Sequence, residues 1–375
     1  MHLLFASDAF KGTLTSREAH AILAETLLRL DPASSFEAVS VADGGEGTLE
    51  AFEDMGLAVP ESLAVHDARM RAVTARFATM PDGAALIEMA QAAGLPQLPE
   101  ALRDPRKTTT FGVGELMARA IEKGAETLYV GLGGSATNDG ATGALAALGF
   151  AFLDERGETL APCGENLSRI AAVDASRVPE GLRRARITLL TDVTNPLLGP
   201  KGCASVFAPQ KGADEACVAE LEAGMRHFYE LSRASTALSD FEGAGAAGGM
   251  AYGLAAWLGA RVTSGIGEVM RLARFEEKLA RADAVITGEG SIDAQSADGK
   301  VLSGILRAAS KAEVPVYAIA GGTKPGFEAL YAAGLRSVVT LCRIAPSKDE
   351  AVRQARRYYA MAAERLLREI LGAKS

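Results

Sequence analysis

An α/β fold with a mostly parallel sheet and an inserted second domain is predicted on three grounds. Short apolar runs bounded by turn residues recur along the chain, helical patterns fall between several of them, and the middle switches to period-two alternation. With 375 residues, 48% of them hydrophobic, the chain exceeds what one core needs, so two domains follow.

The apolar runs are residues 3–5, 38–41, 85–87, 128–130, 187–190, 284–286, 316–319 and 337–341, each read as a strand. Thr15 and Glu18 form a capping box ahead of Ala19, Ile22, Leu23, Leu27 and Leu30, which recur at helical spacing. Ser347 and Glu350 form a second box ahead of Ala351, Ala355, Tyr358, Ala362, Leu366 and Ile370, and predict one long amphipathic closing helix. Residues 57–80 alternate as antiparallel strands do, and residues 220–235 read as a separate helix, so the second domain is inserted here. The boundaries are 1–60 with 281–375 for one domain and 61–280 for the other, with 105–145 open to either.

Composition removes several classes of function. Net charge is −8 with both signs interspersed, so no basic stripe serves nucleic acid. No apolar run reaches bilayer length, and MHLLFASDAF reads as a first strand rather than a signal, so a cytoplasmic location is expected. Cys163, Cys203, Cys217 and Cys342 are widely spaced, against both a disulfide framework and a zinc site. His2, His20, His66 and His227 form no paired motif, which argues against metal-histidine hydrolysis and Ser-His-Asp chemistry. His20 lies inside the first helix and reads as packed or solvated rather than catalytic.

Residues 127–143, TLYVGLGGSATNDGATG, put a buried strand ahead of a loop of glycines, hydroxyls and a carboxylate, with a helix over 141–148 to follow. Gly131, Gly133, Gly134, Ser135, Thr137, Asn138 and Asp139 sit where a helix amino end attracts anions. Gly131-x-Gly133-x-x-Ala136 also fits a dinucleotide fingerprint with Asp154 or Glu155 as the ribose ligand, or a turn with no ligand.

Four other strand ends carry carboxylates beside glycines or hydroxyls: Ser7 to Gly12 with Asp8 and Lys11, Ala42 to Thr48 with Asp43 and Glu46, Thr191 to Pro196 with Asp192 and Asn195, and Thr287 to Asp293 with Glu289. In open α/β sheets ligands gather beyond the carboxyl ends of strands. Carboxylates, glycine loops and lysines with almost no histidine suit phosphoryl transfer, which positions a triphosphate with Mg²⁺ and offsets its charge. Lys11, Lys211 and Lys300 each lie beside a glycine, as phosphate-facing lysines do, yet no Walker A sequence is present. Simpler roles compete: helix capping for Asp43 and Glu46, an Asx-turn for Asp192, solvated loop ends for Lys211 and Lys300. The GAGAAGG stretch at 243–249 reads as a ligand-facing loop or as close packing, with packing favoured, and Met89 reads as core.

DAFKGTLTSREAHAI, VADGGEGTLEAF, IEMAQAAGL, TTTFGVGELMARAI, GLGGSATNDGATGALAALG, TDVTNPLLGPKGCASVFAPQKGA, GAGAAGGM and ITGEGSIDAQSADGK together resemble, in this order, the bacterial glycerate kinase family. The resemblance spans nearly the whole chain. It implies ATP-dependent phosphorylation of D-glycerate, with 2-phosphoglycerate favoured over 3-phosphoglycerate, and a flavodoxin-like domain built from both chain ends. The working assignment makes Asp192, Asp43 and Lys11 catalytic and gives ATP to Gly131, Gly133, Gly134, Ser135, Thr137, Asn138, Lys211 and Lys300. Asp8, Glu46, Asp139 and Asn195 take the substrate, Glu289 and Asp293 take Mg²⁺, and ATP and glycerate meet in the cleft between domains. A monomer or homodimer is expected, without nucleic-acid or membrane partners. The chain departs from the family pattern at Ser7 and Ala9, at Ser291 where arginine is usual, and at Ser296. An NAD(P)-dependent hydroxy-acid dehydrogenase and a non-catalytic nucleotide-binding protein are the alternatives.

Overall fold

In the computed structural model, which describes residues 1–10, 12–293 and 301–372, β1 (His2–Ser7) and β2 (Ser35–Ser40) open the chain. There follow β3 (Val59–His66), β4 (Ala72–Thr79), β5 (Ala85–Glu88), β6 (Thr127–Gly131), β7 (Ala151–Leu153), β8 (Ala172–Asp174), β9 (Arg186–Leu190) and β10 (Arg261–Thr263). The chain ends with β11 (Ala284–Ile292), β12 (Val316–Thr323) and β13 (Leu335–Thr340). Every apolar run read as a strand overlaps one of these.

Two units result. The first comprises residues 1–43, 50–55 and 266–375, the second 44–49 and 56–265. Residues 105–145, open to either domain on sequence, lie in the second unit. Residues 266–280 lie in the first, where the Ile266 side chain packs against Gly304 so closely that a Cβ there would come within 2.8 Å of it.

The first unit holds a wholly parallel sheet in the order β13-β12-β11-β1-β2. Counted along its own five strands this is 2-1-3-4-5, the flavodoxin-like order, with the second unit inserted mainly between its second and third strands. Leu3, Leu4, Phe5 and Ala6 are all fully buried, which is why β1 reads as an unbroken apolar run. The Ser16–Leu30 helix begins with both halves of the Thr15–Glu18 capping box in place and buries Ala19, Leu23 and Leu27. The closing helix is two: Lys348–Arg353, capped by the Ser347 side chain, and Ala355–Gly372, with the break at Gln354.

The second unit holds a mixed sheet in the order β10-β9-β6-β5-β4-β3, parallel from β10 to β5 and antiparallel through β4 and β3. β7 and β8 form a separate antiparallel pair. That pair overturns the dinucleotide reading of residues 131–136: the strand after the glycine loop does not return to lie parallel in the same sheet, so Asp154 ends no Rossmann strand.

Candidate functional site

In the second unit, the carboxyl ends of β6 and β9 are crossed by the loop at residues 44–48. A Cβ on Gly131 would lie 2.3 Å from the Gly44 carbonyl oxygen, one on Gly133 would lie 2.5 Å from Gly45 Cα, and one on Gly44 would lie 2.8 Å from Leu190 Cβ. Two glycine-rich segments far apart in sequence thus need glycine because their backbones touch. Glu88, buried at the end of β5, fastens this loop by accepting the Leu49 N–H at 2.6 Å. Glu46 is exposed on the same loop.

The segment after Gly134 is held from several sides. Ala136 N–H donates to the Ala93 carbonyl at 2.9 Å, and the Thr108 hydroxyl donates to the Ala136 carbonyl at 3.0 Å. Lys211, which competing sequence arguments placed at a solvated loop end, is 1% exposed. Its Nζ donates to the Ser135 hydroxyl at 2.8 Å and to the Thr137 carbonyl at 2.7 Å. Burial pushes the Lys211 ammonium down to about 8, with Cys203 and Asp139 opposing that fall. The neighbouring Cys203 thiol is itself pushed up to about 12 by burial.

Asp139 departs from its assigned role as a substrate contact. It is fully buried, and one oxygen accepts from Thr110 N–H at 2.7 Å, the Thr110 hydroxyl at 2.9 Å and Gly143 N–H at 3.1 Å. The other accepts from Ala141 N–H at 3.3 Å. Burial raises its pKa, and these hydrogen bonds pull it back. The helix after the loop, Thr142–Ala147, is six residues long. Its amino end serves Asp139 and the Thr110 hydroxyl, which accepts from Ala144 N–H at 2.8 Å, so the anion site expected there is taken by the protein's own side chains.

Between them, Thr137 and Asn138 are fully buried, yet Thr137 Oγ1 and both amide atoms of Asn138 have no hydrogen-bond partner among the described residues. Opposite them, Ala247, Gly248 and Gly249 adopt left-handed backbone, and Gly140 N–H donates to the Gly248 carbonyl at 3.1 Å. A Cβ on Gly248 would lie 2.1 Å from the Thr137 carbonyl oxygen. The GAGAAGG stretch thus packs against this loop backbone to backbone.

At the end of β9, Asp192 Oδ1 accepts from the Ser264 hydroxyl at 2.7 Å, and Asp192 remains partly exposed. The Asn195 amide donates to the Lys201 carbonyl at 2.8 Å and braces its own loop. Asp192 and Asn195 thus lie in the same unit as Ser135 to Asp139.

In the first unit the switch point of the strand order falls between β1 and β11. Asp8 N–H crosses it to the Gly288 carbonyl at 2.9 Å, and Asp8 Oδ1 accepts from Ala9 N–H at 2.6 Å. β11 runs on to Ile292, beyond the end read from sequence, so Glu289 sits on the strand, opposite Ala320 in register. A Cβ on Gly321 would lie 2.3 Å from the Gly290 carbonyl oxygen, so glycines carry the two strands together past the apolar run. Asp293 follows β11 and pairs with Lys324 at 3.5 Å. Asp43, partly exposed, follows β2. Lys11 and Lys300, given phosphate roles on sequence, lie outside the described residues, as does Ser296.

Two carboxylates fit what Mg²⁺ needs, since it takes one or two together with water and phosphate oxygens. Glu289 lies on β11 and Asp293 just past its end, about 13 Å further along if the chain stays extended, so the pair would reach a shared ion through water and phosphate oxygens. Among the described residues no three His, Cys, Asp or Glu side chains gather as a complete protein cage.

Sequence reasoning missed Glu88 and Thr110. Glu88 ends a short apolar run, where a lone carboxylate looks like a solvated strand end. Thr110 closes a Thr108-Thr109-Thr110 run that is buried throughout, and that run was the available signal.

Comparison with known proteins bears on all these loops together. A model described as the glycerate kinase family matches residues 3–371. The chain is 38% identical to the glycerate kinase of Bacillus subtilis strain 168, over 100% of its own length and 99% of that protein. It is 37% identical to the glycerate 2-kinase of Escherichia coli K12, over 95% of its length and 94% of the relative. The crystal structure of a Salmonella typhimurium LT2 protein assigned as a glycerate kinase 2 is similar with a TM-score of 0.88, 35% identity and coverage of 100% and 99% of the two chains.

Proposed function

The chain belongs to the glycerate kinase family, and on that premise we propose that it transfers the γ-phosphoryl group of ATP to a hydroxyl of D-glycerate. The observation that carries this reading is similarity to glycerate kinases along the whole chain. The 2-hydroxyl is the proposed acceptor, giving 2-phosphoglycerate and ADP; likeness to the glycerate 2-kinase of Escherichia coli supports it.

Phosphoryl transfer is mostly positioning and charge stabilisation, so each side chain's work is electrostatic. Glu289 and Asp293 would hold Mg²⁺, which when bound offsets charge on the phosphate oxygens. Asp192 is the proposed base: the Ser264 hydroxyl orients one oxygen at 2.7 Å, leaving a carboxylate with a fixed direction to accept the substrate proton. Asp43 is the second candidate. Lys11 and Lys300 keep their proposed phosphate roles, and Asp8, at the switch point, keeps a place among the ligand-facing groups.

A coupled assay with ATP, Mg²⁺ and D-glycerate tests the reading, with glycerate-dependent ADP release as the expected result. Phosphorus NMR of the product decides between the two phosphoglycerates. Asp192→Asn is expected to lower kcat by about a hundredfold or more. Near-normal turnover in that variant, with collapse in Asp43→Asn, exchanges the two assignments.

A further inference from the structure

The three buried polar atoms of Thr137 and Asn138 ask for a partner that the described residues do not supply. A buried donor or acceptor left unmade is costly, and here three lie on adjacent side chains. Their backbone is clamped: Lys211 Nζ holds the Thr137 carbonyl at 2.7 Å, and the left-handed segment at 247–249 packs against it from the other side. Asp139 pins the next residue to Thr110, Ala141 and Gly143. The pair is therefore preorganised, with its hydrogen-bonding capacity unspent.

That capacity has a definite chemical complement. Thr137 can donate and accept, while the Asn138 amide offers a donor at one atom and an acceptor at the other. Because both amide atoms lack partners among the described residues, exchanging them by flipping the amide changes nothing. Phosphate oxygens of a nucleotide at neutral pH chiefly accept, and would leave the amide oxygen unmatched. A hydroxy acid presents carboxylate acceptors and a hydroxyl donor within a few ångströms of each other. Lys211 places a buried positive charge just behind the Thr137 carbonyl, which favours an anion of either kind, so the choice of a carboxylate rests on the donor and acceptor match.

We propose that Thr137 and Asn138, backed by Lys211, recognise the hydroxycarboxylate of the acceptor rather than the phosphates of ATP. This rests on the kinase reading above and moves these residues from nucleotide binding to substrate specificity. The amide nitrogen and the Thr137 hydroxyl donate to the carboxylate, and the amide oxygen accepts from a hydroxyl.

The test uses the intact chain and its Asn138→Leu and Thr137→Val variants. Both replacements are close in size and break no side-chain hydrogen bond seen in the structure, so a Tm equal to or above that of the parent is expected. Calorimetric titration with D-glycerate, and KM for D-glycerate, should weaken by about tenfold or more in each variant, while KM for ATP stays within about twofold. Propionate, which lacks both hydroxyls, should bind the parent far more weakly than D-glycerate does, and Asn138→Leu should shrink that gap by about tenfold. Weakened ATP binding with unchanged D-glycerate affinity overturns the proposal and returns the pair to the nucleotide; unchanged affinity for both overturns it in favour of a hydrated core. Should Asn138→Leu fail to fold, Thr137→Val carries the same comparison. A parent enzyme that releases no ADP in response to D-glycerate sinks the kinase reading instead, a separate outcome.

Discussion

His20 shows how a side chain read from sequence as merely packed still leaves a measurable signature. Its Nε2 accepts from Ser7 N–H at 3.2 Å, and burial pushes its pKa down from 6.5 to about 4. The unfolded chain takes up this proton first as pH falls, so the contribution is complete above pH 6.5 and is lost between 6.5 and 4, at a cost of about 3 kcal/mol. Urea unfolding across this window should show that slope, and His20→Gln, which keeps an acceptor, should flatten it. Lys211 has the same sign for the same reason, burial, in an alkaline window. Its ammonium is depressed from 10.5 to about 8, so the folded state sheds the proton first and stability should rise as pH climbs through that interval. Lys211→Met should remove this alkaline slope and lower kcat/KM for D-glycerate by about a hundredfold or more, because Ser135 and Thr137 lose their anchor.

Among elements, the strands and the first helix were legible in sequence because each is announced locally, by an apolar run or a capping pair. The loops were legible only as chemistry. Nothing local says that Gly131 and Gly133 are glycines because another loop lies against them, or that Asp139 spends its oxygens on two helix ends. The glycine approaches and the Asp139–Thr110 bonds join segments far apart in sequence, and with the local Asp139–Gly143 bond they occupy the helix end where an anion was expected. The end of β11 was missed for a related reason: glycines that look like loop residues are there to let β12 approach. Gly131→Ala should therefore act as an overpacking mutation, driving a methyl toward the Gly44 carbonyl oxygen 2.3 Å away and destabilising the protein by about 2–4 kcal/mol in denaturant titration. Thr15→Ala, which loses only a cap, should cost about 1 kcal/mol in the same measurement.

For the whole molecule, the two units carry separate labels: His20 belongs to the first, and Thr137, Asn138 and Lys211 to the second. Hydrogen exchange should report them separately. D-glycerate should slow exchange around residues 131–143 and 203–211, while acidification from pH 6.5 toward 4 should lower the protection factors of β1 and the Ser16–Leu30 helix, taken against the intrinsic exchange rate at each pH. Protection by D-glycerate confined to the first unit would contradict the substrate assignment. The route of the chain through these units has a consequence at birth. β1 takes its place between β2 and β11, and β11 leaves the ribosome about 280 residues after β1. The second unit is nearly continuous in sequence and is available to fold during synthesis, while the first two strands wait with an unpaired apolar edge. A nascent chain stalled before residue 284 should thus hold a folded insertion beside an unfinished sheet, the stage at which chaperones have most to protect.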